Sequence, residues 1–177
     1  MKYLVSLYFD SVTAKQIHTY MEMVADASGN RYMIEHGVPP HITISSFETE
    51  HPDIICEALS ERFREVKTGE LQWVGIGSFM NSVLYLTPVL NEYLQELMEA
   101  VYDCIGTAED VQVSKFYRPY QWLPHTTIGK KMSAEEQLKG FQAIQRSFHE
   151  IRGKVVKIGL SVASPHEELT ECFLAES

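Results

Sequence analysis

The sequence predicts an α+β fold in which two similar halves face one central cleft. Two observations support this prediction: strand-type and helix-type segments alternate along the 177 residues, and a short histidine motif occurs twice. The length suits a single domain, and a chain with 45% hydrophobic residues can bury a core without a metal or disulfide. We therefore expect one domain over residues 1–177.

Residue patterns predict each element of the first half. Alternating or β-branched apolar runs indicate strands, and apolar residues three and four apart indicate helices. In chain order, the predicted elements are a strand over residues 2–9, a helix capped by Asp10 or Ser11 and ended by Gly29-Asn30, a strand over 41–44, a helix from about 51 to 66, and strands over about 71–79 and 82–87 around Met80 and Asn81.

The second half repeats this order. Ser133 and Glu136 form a capping box, which marks a helix start. We expect its inward side chains to be Leu138, Phe141, Ile144 and Phe148. The predicted elements are a helix from about 90 to Gly106, a strand over 122–128, the helix after Ser133, and strands over about 154–163 and 168–174.

The repetition is also visible in the letters. The segment Pro-His-Ile-Thr-Ile at residues 40–44 matches Pro-His-Thr-Thr-Ile at 124–128, an offset of 84. The same offset aligns Val-Gly-Ile at 74–76 with Ile-Gly-Leu at 158–160. We predict an internal duplication with pseudo-twofold lobes, roughly 1–88 and 89–177. Two antiparallel sheets would flank the cleft, with helices outside.

The two motifs carry the chemistry. Residues i and i+2 of a strand point to one face, so His41 projects with Thr43, and His125 with Thr127. One imidazole can remove a proton and the other can deliver one, while the hydroxyls hold phosphoryl oxygens. Two histidines alone leave a zinc shell short of ligands, so we expect no metal and no cofactor.

Paired His-x-Thr motifs on strands, each preceded by proline, resemble those of the 2H phosphoesterase superfamily. The closest branch is the bacterial 2'-5' RNA ligase-like and cyclic phosphodiesterase proteins. The resemblance implies a bilobal fold and metal-independent processing of 2',3'-cyclic phosphates or 2'-linked RNA ends. It also implies that His41 and His125 are catalytic and that Thr43 and Thr127 bind phosphate.

The sequence departs from the family pattern at one basic position. Members often have Arg five residues after the second motif histidine, where this chain has Lys130. Lysine keeps the charge but lacks the two-pronged guanidinium. The first motif is followed by Ser45 and Ser46, so nothing basic stands at the matching place.

A local charge pattern supports an anionic ligand independently. No Asp or Glu occurs from Val111 to Ala134, although the chain carries a net charge of -9. Cations and aromatics in one segment can bind phosphate and stack a base. From this segment we select Lys130, Tyr120 and Trp122 as substrate-binding candidates.

Composition limits the partners and the location. The net charge of -9 argues against duplex DNA, and no apolar run is long enough to span a membrane. Three cysteines without CxxC spacing fit a reducing compartment. We therefore expect a cytoplasmic monomer whose partner is a small nucleotide or an RNA end with a cyclic phosphate.

These observations leave two function classes open. The first is a two-histidine phosphodiesterase acting on 2',3'-cyclic phosphates or 2'-5' linked RNA, with ligation as its reverse reaction. The second is a binding module that holds a nucleotide or RNA end without turning it over. The sequence does not assign the acid and base roles to the individual histidines.

Overall fold

The computed structural model describes residues 1–79, 82–164 and 166–176, which form an α+β structure. The predicted turn at Met80 and Asn81 lies outside the described residues. The strands are β1 (Lys2–Phe9), β2 (His41–Glu48), β3 (Gly69–Phe79), β4 (Val83–Pro88), β5 (Gln112–Val113), β6 (Thr126–Lys130), β7 (Ile151–Ala163) and β8 (His166–Phe173). The helices are α1 (Ser11–Ser28), α2 (Tyr32–Glu35), α3 (Pro52–Phe63), α4 (Glu92–Ile105) and α5 (Ala134–Gln145).

All the strands join one antiparallel sheet in the order β5-β2-β1-β7-β3-β4-β6, with β8 on β7. The α+β class is confirmed, but the two expected sheets are continuous. The reason is the length of β7, which has 13 residues. One edge of β7 pairs with β1, while its other edge pairs first with β3 and then with β8.

The paired strands come from both halves of the chain. Strands β1 and β3 of the first half pair with β7 of the second, and β4 pairs with β6. Although β2 and β6 lie far apart in the sheet order, they contact each other. The sheet therefore curls until its two motif strands meet. The observed element order agrees with the predicted repeat, and the duplication itself stays a prediction.

Helix α1 is fixed at its start by Asp10. One carboxylate oxygen accepts hydrogen bonds from the backbone N–H groups of Val12 and Thr13, both at 3.0 Å. The other accepts from the backbone N–H of Lys154 at 2.9 Å. This single side chain therefore both caps α1 and ties it to β7. The cap predicted at Asp10 or Ser11 is confirmed at Asp10.

Helix α5 begins at the predicted capping box, but the side chains that it buries are not the predicted ones. Leu138 is 58% exposed and Phe141 36% exposed, whereas Gln137, Gly140 and Ile144 are buried. Because α5 packs closely on α1, a Cβ at Gly140 would lie 3.1 Å from Val24. This close approach turns the small residue inward, so the prediction for Leu138 and Phe141 was wrong.

The sequence did not predict α2 or β5. None of the helices in the described residues combines the length and apolar character that a membrane span needs.

Candidate active site

The first motif lies at the start of β2. His41 stands opposite Tyr8 of β1, and Thr43 stands opposite Ser6. Side chains paired across antiparallel strands share a face, so these four residues lie on one surface, called here the site face. Ile42 is fully buried on the opposite face, as the alternation predicted.

The second motif is arranged in the same way with one difference. Strand β6 begins at Thr126, one residue after His125, rather than near Trp122 as predicted. Pro124 has no N–H to give to a strand partner, which explains the late start. Thr127 stands opposite Tyr85, while Thr126 is buried and accepts a hydrogen bond from the Trp73 indole at 3.0 Å. Thr126 therefore faces the core and supports the packing of Trp73.

Both motif strands carry a β-bulge directly after the motif threonine. In β2 the extra residue is Ile44, and in β6 it is Ile128. A bulge shifts the alternation by one, so the residue five after each histidine returns to the face of the motif threonine. In β6 this residue is Lys130, which stands opposite Val83, two residues from the partner of Thr127.

Each motif histidine makes the same hydrogen bond. Nδ1 of His41 lies 2.7 Å from the carbonyl oxygen of Pro39, and Nδ1 of His125 lies 2.9 Å from that of Leu123. A carbonyl can only accept, so Nδ1 carries the proton in both rings. The nitrogen that can exchange protons is therefore Nε2 in each case.

The chain before β6 packs along β2. The backbone N–H of Ser114 donates to the Ser46 carbonyl at 2.9 Å. The indole of Trp122 donates to the Thr43 carbonyl at 3.2 Å, and its ring is only 8% exposed. The structure thus places Trp122 beside the first motif as a buried support of its backbone.

A stacked pair of aromatic rings lies against His125. The rings of Phe79 and Tyr85 stand edge-on to the imidazole, with centroids at 4.8 and 5.3 Å. Gly77 makes room for this packing, because a Cβ there would overlap the Tyr85 ring. Burial lowers the pKa of His125 below its ordinary value, although the bond to Leu123 acts in the opposite direction. His125 therefore favours its neutral form.

His41 has a more polar neighbour. The Tyr8 ring centroid lies 6.2 Å from the imidazole, and Ser6 lies on the same face of β1 two residues earlier. Burial, with a smaller contribution from the charge of Glu168, raises the pKa of Tyr8 to about 12. The phenol thus stays protonated and can donate a hydrogen bond at any working pH.

Comparison with known protein families identifies the superfamily of this chain. The 2'-5' RNA ligase superfamily matches residues 14–166, which is most of the chain. The chain belongs to the 2'-5' RNA ligase superfamily. This confirms the resemblance to 2H phosphoesterases that the motifs indicated, and members of that superfamily are phosphoesterases and ligases. Among curated protein sequences, none matches the chain significantly.

Solved structures share the fold at low identity. LigT of Escherichia coli in its apo form matches with a TM-score of 0.59 and 14% identity, over 98% of this chain and 97% of LigT. LigT complexed with 3'-AMP gives 0.58 and 13%, over 98% and 96%. TT0787 of Thermus thermophilus gives 0.61 and 13% over the whole of both chains. At such identities the likeness supports the superfamily fold alone.

The other two substrate-binding candidates in this superfamily member, Lys130 and Tyr120, lie in different surroundings. Lys130 is exposed on the face of Thr127. Tyr120 is 87% exposed, has a φ of 61° and donates its hydroxyl to Glu99 at 3.3 Å. Among the residues that the structure describes, no group of three or more His, Cys, Asp or Glu could hold a metal ion.

Motif spacing did not identify Tyr8, Phe79 or Tyr85 as neighbours of the histidines. Tyr85 is paired with Thr127, and Phe79 reaches His125 from β3. These contacts depend on strand register and bulges, which a single sequence does not reveal. The glycine two residues before Phe79 is the one local signal that a large ring must fit there.

Proposed function

We propose that this protein is a metal-independent phosphodiesterase acting on 2',3'-cyclic phosphate nucleotides or RNA ends, or on 2'-5' linked RNA. The observation that supports this best is the matched pair of histidines. Each donates its Nδ1 proton to a carbonyl, so the catalytic proton would be exchanged at Nε2. Structures of LigT complexed with 3'-AMP, NADP+ and phosphate are consistent with a nucleotide ligand for this fold.

The surroundings of the two rings suggest their roles. Because burial favours neutral His125, we assign it as the base that takes a proton from the attacking water. His41 then protonates the departing ribose oxygen as the P–O bond breaks. The hydroxyls of Thr43 and Thr127 would donate to non-bridging oxygens. Ligation in the reverse direction exchanges the roles of the two histidines.

One basic residue lies near the proposed reaction site. Lys130 would add positive charge near the phosphate from the Thr127 side. The monomeric state and the cytoplasmic location stay predictions from the sequence.

The first experiment uses EDTA-treated protein and the four nucleoside 2',3'-cyclic monophosphates. We expect turnover by the wild type and losses of about 10²–10⁴-fold in His41→Ala and His125→Ala, the range that acid–base groups contribute. His18→Ala is the matched control, because His18 lies on the outer part of α1 and pairs with Glu22. Chromatography of the product separates 2'- from 3'-phosphate.

The outcomes separate the two function classes. Equal activity of the His41→Ala variant and the wild type would exclude the mechanism. Absence of turnover on all cyclic and 2'-5' linked substrates, with nucleotide binding retained, would instead identify a binding module.

A further inference from the structure

A row of side chains runs across the site face away from His41. Tyr8 of β1 stands opposite His41, Lys157 of β7 opposite Tyr8, and Phe173 of β8 opposite Lys157. Three strand spacings make this row about 14 Å long. The row therefore begins at a motif histidine and extends far enough to contact a ligand larger than phosphate.

The row contains two aromatic rings, and the ammonium group of Lys157 lies near both of them. Nζ of Lys157 lies 4.5 Å from the Tyr8 ring centroid and 5.9 Å from that of Phe173. Phe173 is 72% exposed, so its ring is accessible to a ligand. Exposed rings of this kind stack nucleobases without selecting one base.

The carboxylates next to this row carry more negative charge than Lys157 carries positive charge. Lys157 forms an ion pair with Glu171. A bulge at Leu169 brings Glu168 to the same face as Glu171, and its carboxylate lies over Gly159, next to the Tyr8 ring. Two carboxylates against one ammonium leave this side acidic, whereas the Thr127 side carries Lys130.

We propose that Tyr8, Lys157 and Phe173 form a nucleoside subsite, in which the base stacks on an exposed ring and Glu168 and Glu171 disfavour a second phosphate. This inference rests on the proposed function, since it takes the reacting phosphate to lie between the motifs. It defines the preferred substrate class as nucleoside cyclic phosphates whose 5' oxygen carries no phosphate.

Calorimetric binding tests the stacking without requiring turnover. The probes are 3'-AMP and inorganic phosphate, titrated into wild type, Phe173→Ala and the control Leu138→Ala, which removes another exposed apolar side chain from α5. We expect Phe173→Ala to weaken 3'-AMP about five- to tenfold, as loss of one stacked ring does. Phosphate binding should stay unchanged. Unchanged 3'-AMP binding, or equal weakening of both probes, overturns the subsite.

A second titration tests the charge. We expect the wild type to bind 3'-AMP more tightly than adenosine 3',5'-bisphosphate. Glu171→Gln should reduce this preference about threefold, the scale of an exposed charge pair, because it removes a carboxylate and releases Lys157. The control Glu167→Gln alters a carboxylate paired with Val162, on the other face of β8. A wild type that prefers the bisphosphate contradicts the proposal.

These results are independent of the catalytic assay. A protein that shows the Phe173 effect but no turnover would retain the subsite and lose the proposed reaction. A protein that turns over cyclic phosphates without the Phe173 effect would retain the reaction and lose the subsite.

Discussion

At the scale of single residues, the two motif histidines share a hydrogen bond and differ in their neighbours. Both hold Nδ1 on the carbonyl two residues earlier, so the motif itself fixes the tautomer. His125 lies against a stacked pair of aromatic rings, while His41 lies beside a phenol. The lowered pKa of His125 therefore comes from its burial in the sheet around the motif and not from the motif itself.

The lowered pKa of His125 predicts the acid side of the pH–rate profile. We expect a bell-shaped dependence of kcat/KM, because one histidine must be neutral and the other protonated. Burial places the acid limb below about pH 6.5, since His125 loses its proton before an exposed histidine does. Phe79→Ala should move that limb toward the ordinary histidine value by admitting water. A profile that is flat from about pH 5 to 8 would contradict the mechanism.

The space at Gly77 predicts a second residue effect. Gly77→Ala makes a methyl group overlap the hydroxyl end of the Tyr85 ring, so Tyr85 must shift from its contact with His125. We expect a loss of about 1–3 kcal/mol in the free energy of unfolding and a fall in kcat/KM. Gly75→Ala is the control, because its Cβ meets only Thr87 at 4.0 Å. Denaturant titrations and cyclic phosphate assays measure both effects, and equal behaviour of the two variants would refute the argument.

At the scale of elements, the bulges determine which side chains accompany the motifs. The extra residues Ile44 and Ile128 stand at the same place after both motif histidines, 84 residues apart. They explain why a residue five positions after the histidine, rather than four, shares its face. The family resemblance identified Lys130 from the sequence alone. The bulge that brings Lys130 to the face of Thr127 is visible only in the strand register.

The cap of α1 predicts sensitivity to acid. Burial alone would raise the pKa of Asp10, but hydrogen bonds from the Thr13 hydroxyl and three backbone N–H groups lower it below its usual range. The carboxylate thus contributes stability above its unfolded pKa of about 3.9, and this is lost as pH falls through the lower folded value.

Asp10→Ala should therefore lower the free energy of unfolding by about 1–2 kcal/mol at neutral pH, the range found for N-caps. The difference from the wild type should shrink at acid pH, where the wild-type carboxylate is protonated. Asp26→Ala is the control, because Asp26 forms an exposed ion pair with Arg31. Urea titrations at about pH 7 and pH 3 measure the effect, and a difference that grows toward acid pH would disprove it.

At the scale of the whole molecule, the sequence predicted the α+β class, the order of the main elements and both motif strands. Alternation and turn residues are local, so they are readable from the chain. The fusion of the sheets was not predictable, because it depends on how far β7 extends beyond its partners. The inward face of α5 was also missed, since the close contact at Gly140 overrides the apolar stripe of Leu138 and Phe141.

The shared sheet predicts that the two halves do not fold alone. Residues 1–88 contain β1 and β3 but lack β7, the partner of both. We expect fragments 1–88 and 89–177 to show little cooperative unfolding by circular dichroism when separate, and to regain it when refolded together. A cooperative transition in either fragment alone would show that it is an independent domain.

The pairing of β1 with β7 also has a consequence for the growing chain. Tyr3 pairs with Val162, so one edge of β1 stays unpaired until β7 has been synthesised. Contacts between such distant positions slow folding, and an unpaired strand edge can join other chains meanwhile. The sheet that carries both motif strands is therefore completed late. Conditions that slow synthesis should affect the yield of folded protein more than its free energy of unfolding.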